Sequence, residues 1–337
     1  METAPNRDEK ITLAIAGYGL WEKDKELMDR MKEIILDFVD RLEKRTPEYE
    51  LEILGRNINR DSRQVPYTRR KFENRLKDFF GGRSAGISIF QQNLGVWGKI
   101  PYQFFGRVNL YIGYWGDESS NWKRVRREDF GNYFELQFVP ELVGDLYSEA
   151  ELIGIFKELC IKANAATGFI DRTHFMIATE RFPNEDARSV EYIYKHHKER
   201  LRGYSWMIWM TEGHIKRMGG IEECKRKLGE ERVKTYTMKN GERALCFQAN
   251  EKIGKLTEEE RLKIKQVLKP IIYKDDPIEQ AGYYDDYKMY ALAYDEEEKK
   301  EWEWAKHFFA TADMKAKDEY EEKLFARLRE EEEKEVL

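Results

Sequence analysis

The chain has 337 residues, with 59 Lys plus Arg against 64 Asp plus Glu and a formal net charge of −5. Aromatics make up 13% of it, enough apolar material to offset chain entropy, so global disorder is excluded. The near-neutral balance excludes the strongly basic footprint of a dedicated nucleic-acid binder.

The charge is uneven. Residues 295–337 carry 16 acidic and 9 basic side chains, a net of −7, and the remainder of the chain is at +2. The three cysteines, Cys160, Cys224 and Cys246, are far apart, odd in number and without zinc-finger spacing, which suits free thiols in a reducing cytoplasm. The first residues lack the basic start and apolar core of a secretory signal. No apolar run reaches the roughly 18 residues needed to cross a bilayer. The expectation is a cytoplasmic protein without a membrane segment.

Ile11 to Gly17 reads as a strand. Asp24 to Arg45 reads as a helix, because Leu27, Met31, Ile34 or Ile35, Phe38 and Leu42 recur every three or four residues. Tyr49 to Leu54 is a strand, Asn57 to Arg70 a polar loop, and Lys71 to Phe80 a short helix ended at Gly81-Gly82. Strands follow over Ala85 to Gln91, Arg107 to Trp115 and Asn132 to Val139. The last alternates through Phe134, Leu136 and Phe138.

Ser148 and Glu151 form a capping box for a helix to Ala163. Thr173 to Thr179 is a strand and Asn184 to Arg200 a polar helix. Ser205 to Met210 is apolar on both faces, the pattern of a strand covered on both sides. Short helices follow over Thr211 to Met218 and Ile221 to Leu228, separated by Gly219-Gly220. Asn240-Gly241 predicts a hairpin between Val233 to Met238 and Glu242 to Ala249. Thr257 and Glu260 box the start of a helix to Leu268. In the acidic segment Trp302, Ala305, Phe309, Ala312, Ala316, Tyr320, Leu324 and Leu328 step by three and four, predicting one long amphipathic helix or two. Strands in runs with helices between them predict an α+β fold with mainly antiparallel pairing.

Few motifs carry chemistry. Gly17-Tyr-Gly19 follows a strand, but Glu22 stands where a dinucleotide loop needs a third glycine, so it reads as a turn. Ser205 lacks the small neighbours of a nucleophile elbow, because Met207 follows it. The histidines His174, His196, His197, His214 and His307 show no metal-binding spacing. The basic clusters Arg69-Arg70-Lys71 and Lys123 to Arg127 have acidic neighbours and read as solvated surface. Asp275, Asp276, Asp285 and Asp286 lie among Tyr283, Tyr284, Tyr287 and Tyr290. Such carboxylates could do acid–base work or bind a cation. As an exposed Tyr-and-Asp surface they would suit a basic partner.

From Arg202 to Glu222 the chain runs Gly203-Tyr204-Ser205-Trp206, a short helix, Gly219-Gly220 and another helix. With the hairpin in Thr235 to Gln248 and the helix Leu262 to Pro270, this resembles bacterial polymorphic-toxin immunity proteins of the immunity protein 52 family and the related type VI immunity family. The strands Arg107 to Trp115 and Asn132 to Val139, and the helix from Ser148, fit the same layout. The resemblance covers residues 10–272. It implies one α+β domain, which leaves room for two similar-sized halves meeting near residues 140–170. Residues 273–337 then form an acidic, Tyr-rich loop and helical tail outside the resemblance.

The resemblance also implies a cytoplasmic antitoxin without catalysis, cofactor or metal. It would bind and occlude a cognate secreted toxin domain, and touch neither nucleic acid nor membrane directly. In it Gly203, Tyr204, Trp206, Gly219 and Gly220 belong to the scaffold. A nuclease toxin has a basic groove that favours an acidic partner, so the expected contact residues are Asp275, Asp276, Tyr283, Tyr284, Asp285, Asp286 and Tyr287. A homodimer is left open. The competing expectations are an enzyme with a site of dispersed His, Asp and Tyr residues, and a scaffold that self-associates through the C-terminal helix.

Overall fold

The computed structural model describes residues 9–17, 19–45, 51–57, 62–66, 68–81, 84–93, 103–111, 132–174, 198–201, 205–253 and 256–272; in the C-terminal segment it describes residues 300, 303–304, 307–308, 310–317, 319–320, 322–323, 326 and 330. The chain divides into two compact units. The first comprises Met1–Ala178, Ser205–Glu212 and Arg232–Lys255. The second comprises Thr179–Tyr204, Gly213–Glu231 and Leu256–Leu337.

The first unit is built on a ten-stranded sheet. Its strands are β1 (Glu9–Gly17), β2 (Leu51–Asn57), β3 (Ser62–Pro66), β4 (Ser84–Asn93), β5 (Gln103–Tyr111), β6 (Asn132–Phe138), β7 (Thr167–His174), β8 (Met207–Thr211), β9 (Val233–Thr237) and β10 (Arg243–Gln248). The order across the sheet is β3-β2-β4-β5-β6-β1-β7-β8-β10-β9. Every described ladder between these strands is antiparallel. With α1 (Lys25–Arg45), α2 (Arg69–Phe80) and α3 (Glu149–Lys162), the fold is α+β.

One sheet face carries the core. Ile11, Leu13 and Ile15 of β1 share it with Phe134, Leu136 and Phe138 of β6 and Val108 and Leu110 of β5, all buried. The stripe on α1 is buried along its length, from Leu27 through Met31, Ile34, Ile35 and Phe38 to Leu42. Gly106 lets α1 lie flat on β5, because a Cβ there would stand 3.0 Å from both Phe38 and Leu42. Gly168 does the same for α3: a Cβ would meet Phe156 at 2.9 Å and the Cys160 Sγ at 3.2 Å. The Ser148–Glu151 capping box starts α3 as expected.

Burial pushes the Cys246 thiol up to about 12 and the Cys224 thiol to about 11, and raises Cys160 well above its ordinary range. All three are buried thiols that stay protonated at neutral pH.

Three parts of the sheet differ from the sequence reading. The strand read over Arg107 to Trp115 starts four residues earlier, at Gln103, and is described as far as Tyr111. The stretch read as a polar loop contains β3, which pairs with β2 at the sheet edge. Its Pro66 ends the strand there, where a missing N–H is tolerated. The strand read over Thr173 to Thr179 starts six residues earlier, at Thr167. Gly168, Asp171 and Arg172 break the apolar pattern that would have announced it. Residues 112–131 and 175–197, which include the expected helix over most of Asn184 to Arg200, lie outside the described residues.

The tip of the β9–β10 hairpin is tied to the helices by a run of ion pairs. Lys239 reaches Asp24 at 2.7 Å and Glu26 at 3.8 Å, Lys162 reaches Glu26 at 2.6 Å and Glu158 at 3.7 Å, and Arg30 joins Glu158 at 2.9 Å to Glu33 at 3.1 Å. Asn164, left-handed at φ 47°, accepts a hydrogen bond from the Asn240 N–H at 2.8 Å. Burial pushes the Asp24 carboxyl up, but the Lys239 ammonium and the Leu27 N–H outweigh it and hold it below the ordinary value. Lys162, then Lys239, lowers Glu26.

Carboxyls depressed on folding stabilise above their unfolded pKa and lose that contribution as pH falls. The urea midpoint is therefore expected to hold from neutral pH to about 5 and then fall. Lys239→Gln should make that fall shallower. A Lys239→Gln profile parallel to the parent would show that the pairs contribute nothing to the pH dependence.

The second unit contains α4 (Glu212–Arg217) from Gly213 onward, α5 (Ile221–Leu228) and α6 (Glu258–Leu268). Gly219 and Gly220 sit at φ 98° and 99° and turn the chain between α4 and α5, as their pairing predicted. Thr257 and Glu260 form the second capping box. Gly213 lies against the Lys198 carbonyl oxygen, so even one methyl group there would collide with backbone.

Candidate interaction surface

Within the second unit, the acidic C-terminal segment is helical at the described residues between 300 and 311 and between 314 and 330. The break falls at Ala312-Asp313. Asp313 starts the second stretch: its Oδ1 accepts from the Ala316 N–H at 2.8 Å, the geometry of an N-cap. Among the described residues the helical positions thus fall into two stretches.

An aromatic cluster joins the two stretches. Trp304 stacks on Phe308, one helical turn away, at 5.4 Å between ring centres. Tyr320 of the second stretch approaches Phe308 at 5.6 Å and Trp304 at 6.0 Å. Three rings are too few to bury themselves. Trp304 remains 50% exposed and Met314, at the break, 70% exposed. They are the exposed large hydrophobic residues among those described. Glu303, Asp313, Glu319, Glu322 and Glu330 of the same stretches are exposed, as are Lys300, Lys315 and Lys323; over residues 295–337 the acids outnumber the bases by 16 to 9. The segment therefore presents apolar contact area within a negative field, the composition of a docking surface for a basic partner. Periodicity located these helices; the signal for Trp304 was its spacing of four from Phe308 and sixteen from Tyr320, which the reading through Trp302 and Phe309 passed over. Trp302, Ala305, Phe309, Leu324 and Leu328 lie outside the described residues.

The expected contact residues Asp275, Asp276, Tyr283, Tyr284, Asp285, Asp286 and Tyr287 also lie outside the described residues, as do Gly203 and Tyr204. Trp206 belongs to the core of the first unit. Its Nε1–H donates to the Asn250 Oδ1 at 2.9 Å, and its backbone N–H donates to the Asp171 Oδ2 at 3.1 Å.

The opposite face of the sheet holds a feature the alternation did not announce. Gln137 of β6, Thr12 of β1 and Asp171 of β7 stand side by side in register, with Arg107 of β5 next in the row. Gln137, Thr12 and Asp171 are buried, as is Glu135 one step along β6. Gln137 donates from Nε2 to the Thr12 Oγ1 at 3.4 Å. Alternation alone places Glu135 and Gln137 opposite the apolar residues of β6, where solvent is the ordinary expectation. Among the described residues no three His, Cys, Asp or Glu side chains gather as a metal-binding group. His214 of α4 is fully buried and His307 exposed. No helix among the described residues is long and apolar enough to cross a membrane.

No family model matches the chain, and no curated protein matches it. Among solved structures, the chain is similar to a T6SS (type VI secretion system) protein of Pseudomonas aeruginosa. The two share 12% identity at a TM-score of 0.50, over 79% of this chain and 73% of that one. At that identity the likeness shows a shared fold.

Proposed function

We propose that this chain is an immunity protein that binds a cognate toxin domain and blocks it by occlusion, without chemistry of its own. The carrying observation is the pair Trp304 and Met314, exposed on an acidic helical segment. Large apolar side chains exposed on a segment of net negative charge suit recognition: the apolar groups hold the complex and the excess charge speeds encounter. The fold likeness to a T6SS protein and the resemblance of residues 10–272 to immunity proteins support a partner delivered by such a system.

A second reading, an enzyme, draws on the buried row Gln137, Thr12 and Asp171; it would require those residues to govern turnover of a small molecule.

Growth rescue tests the first reading. Expression of the toxin domain should arrest growth, and co-expression of this chain should restore it. Met314→Ser combined with Trp304→Ala should weaken the rescue, Met314 being exposed and outside the core. Full rescue by the double variant would overturn the assignment of the surface.

A further inference from the structure

We propose that β9 is a self-association edge, along which two copies of this chain pair antiparallel about Thr235 and join their sheets into one. β9 ends the ten-stranded sheet, and among the described residues its backbone bonds only to β10. The other side of the strand presents unmet N–H and C=O groups, a template for a further strand. Lys234, Thr235 and Thr237 are exposed and Tyr236 half-buried, so the edge is open. It holds no proline and no bulge, and β-branched and aromatic residues fill four of its five positions.

The sequence favours a second copy as the occupant. In the register centred on Thr235, Val233 opposes Thr237 of the second copy, Lys234 opposes Tyr236, and Thr235 opposes Thr235. Every residue of the strand then has a partner inside the strand, and no two like charges of the strand stand directly opposite; the Lys157 ammonium lies over the Tyr236 ring at 5.9 Å. Centring on Lys234 sets two ammonium groups directly opposite; centring on Tyr236 leaves Val233 unpaired. Lys234 and Tyr236 share one sheet face, where Tyr236 already packs on Trp209 at 5.4 Å. The aromatic face of the sheet would continue across the junction. A single lysine can also guard an edge against pairing, but here its opposing residue is aromatic and not a second lysine.

Sedimentation equilibrium of the full chain across micromolar concentrations tests the pairing. A mass rising from 40.3 kDa towards twice that value is expected. Thr235→Lys places two ammonium groups across the symmetry axis. It should raise the dimer dissociation constant several-fold at low salt, with partial recovery at high salt. Thr235 is exposed, so the monomer should keep its circular dichroism.

Directly opposed Cα atoms in an antiparallel pair fall within disulfide range. Thr235→Cys should therefore give a covalent dimer on mild oxidation, and Thr237→Cys, which opposes Val233, should not. The native cysteines are buried and would not interfere. A monomer at every concentration, a dimer indifferent to Thr235→Lys, or equal cross-linking of the two cysteine variants would overturn the proposal.

Discussion

Trp209→Ala is expected to destabilise the first unit by about 3–5 kcal/mol, the range for truncating a fully buried large aromatic. The indole is completely buried on β8. It packs edge-on against Phe156 of α3 at 6.4 Å and beside Tyr236 of β9 at 5.4 Å. On the neighbouring strand it stands opposite Gly168, which leaves room for Phe156. The ladder between β7 and β8 has only three registered pairs, Gly168–Trp209, Phe169–Ile208 and Ile170–Met207. Side-chain packing at Trp209 therefore joins the polar ties of the hairpin tip, Lys239 to Asp24 and Asn240 to Asn164, in holding the β8–β10–β9 wing to the rest of the unit.

Trp209→Phe separates packing from polarity. It keeps a ring in place and removes an indole N–H that has no acceptor among the described residues, so about a third of the alanine loss or less is expected. Urea denaturation of both variants gives the comparison. Equal losses would mean that the indole N–H does bond in the folded protein and that the account of this junction is wrong.

Met314→Ser combined with Trp304→Ala should cost partner binding about 2–4 kcal/mol, or roughly 30- to 1,000-fold in Kd. The two changes report different things. Met314 is 70% exposed, so its replacement leaves folding alone and any affinity loss belongs to the interface. Trp304 also stacks on Phe308 and Tyr320, so its replacement loosens the helices as well. Met314→Ser by itself should therefore weaken binding with no change in helicity. Rising salt should slow association more than it speeds dissociation, because the surrounding carboxylates act by steering. Titration of the single and double variants against the purified toxin domain reads all of this. Wild-type affinity in the double variant would remove the helical segment from the interface.

Local rules made much of the fold legible. The stripe on α1 repeats often enough to reveal its buried face, both capping boxes are formed, and Asn240-Gly241 sets the β9–β10 hairpin. Gly241 there takes φ 86°, as the turn requires. Less legible was whatever long-range burial decides. β3 is short, polar and ended by Pro66, and only its partner β2 makes it a strand. β7 begins on Thr167 and Gly168, and that glycine is chosen for the ring of Phe156. Glu135 and Gln137 obey alternation yet are buried, because alternation assigns a face and says nothing of what covers it.

The candidate surface was half legible. The charge run and the helical period located the segment. The exposure of Trp304 and Met314 depends on the break at Ala312-Asp313, which brings Tyr320 back against Phe308 and leaves Met314 at the turn.

The central claim is that this chain acts by holding one toxin domain. Affinity capture of the tagged full-length protein from its native cells, with co-purifying chains identified by mass spectrometry, tests it most directly. The account predicts one stoichiometric partner that carries a toxin domain, arrests growth when expressed alone, and is lost when Met314 and Trp304 are replaced. Recovery of the chain free of any such partner, in cells that make the toxin, would contradict it.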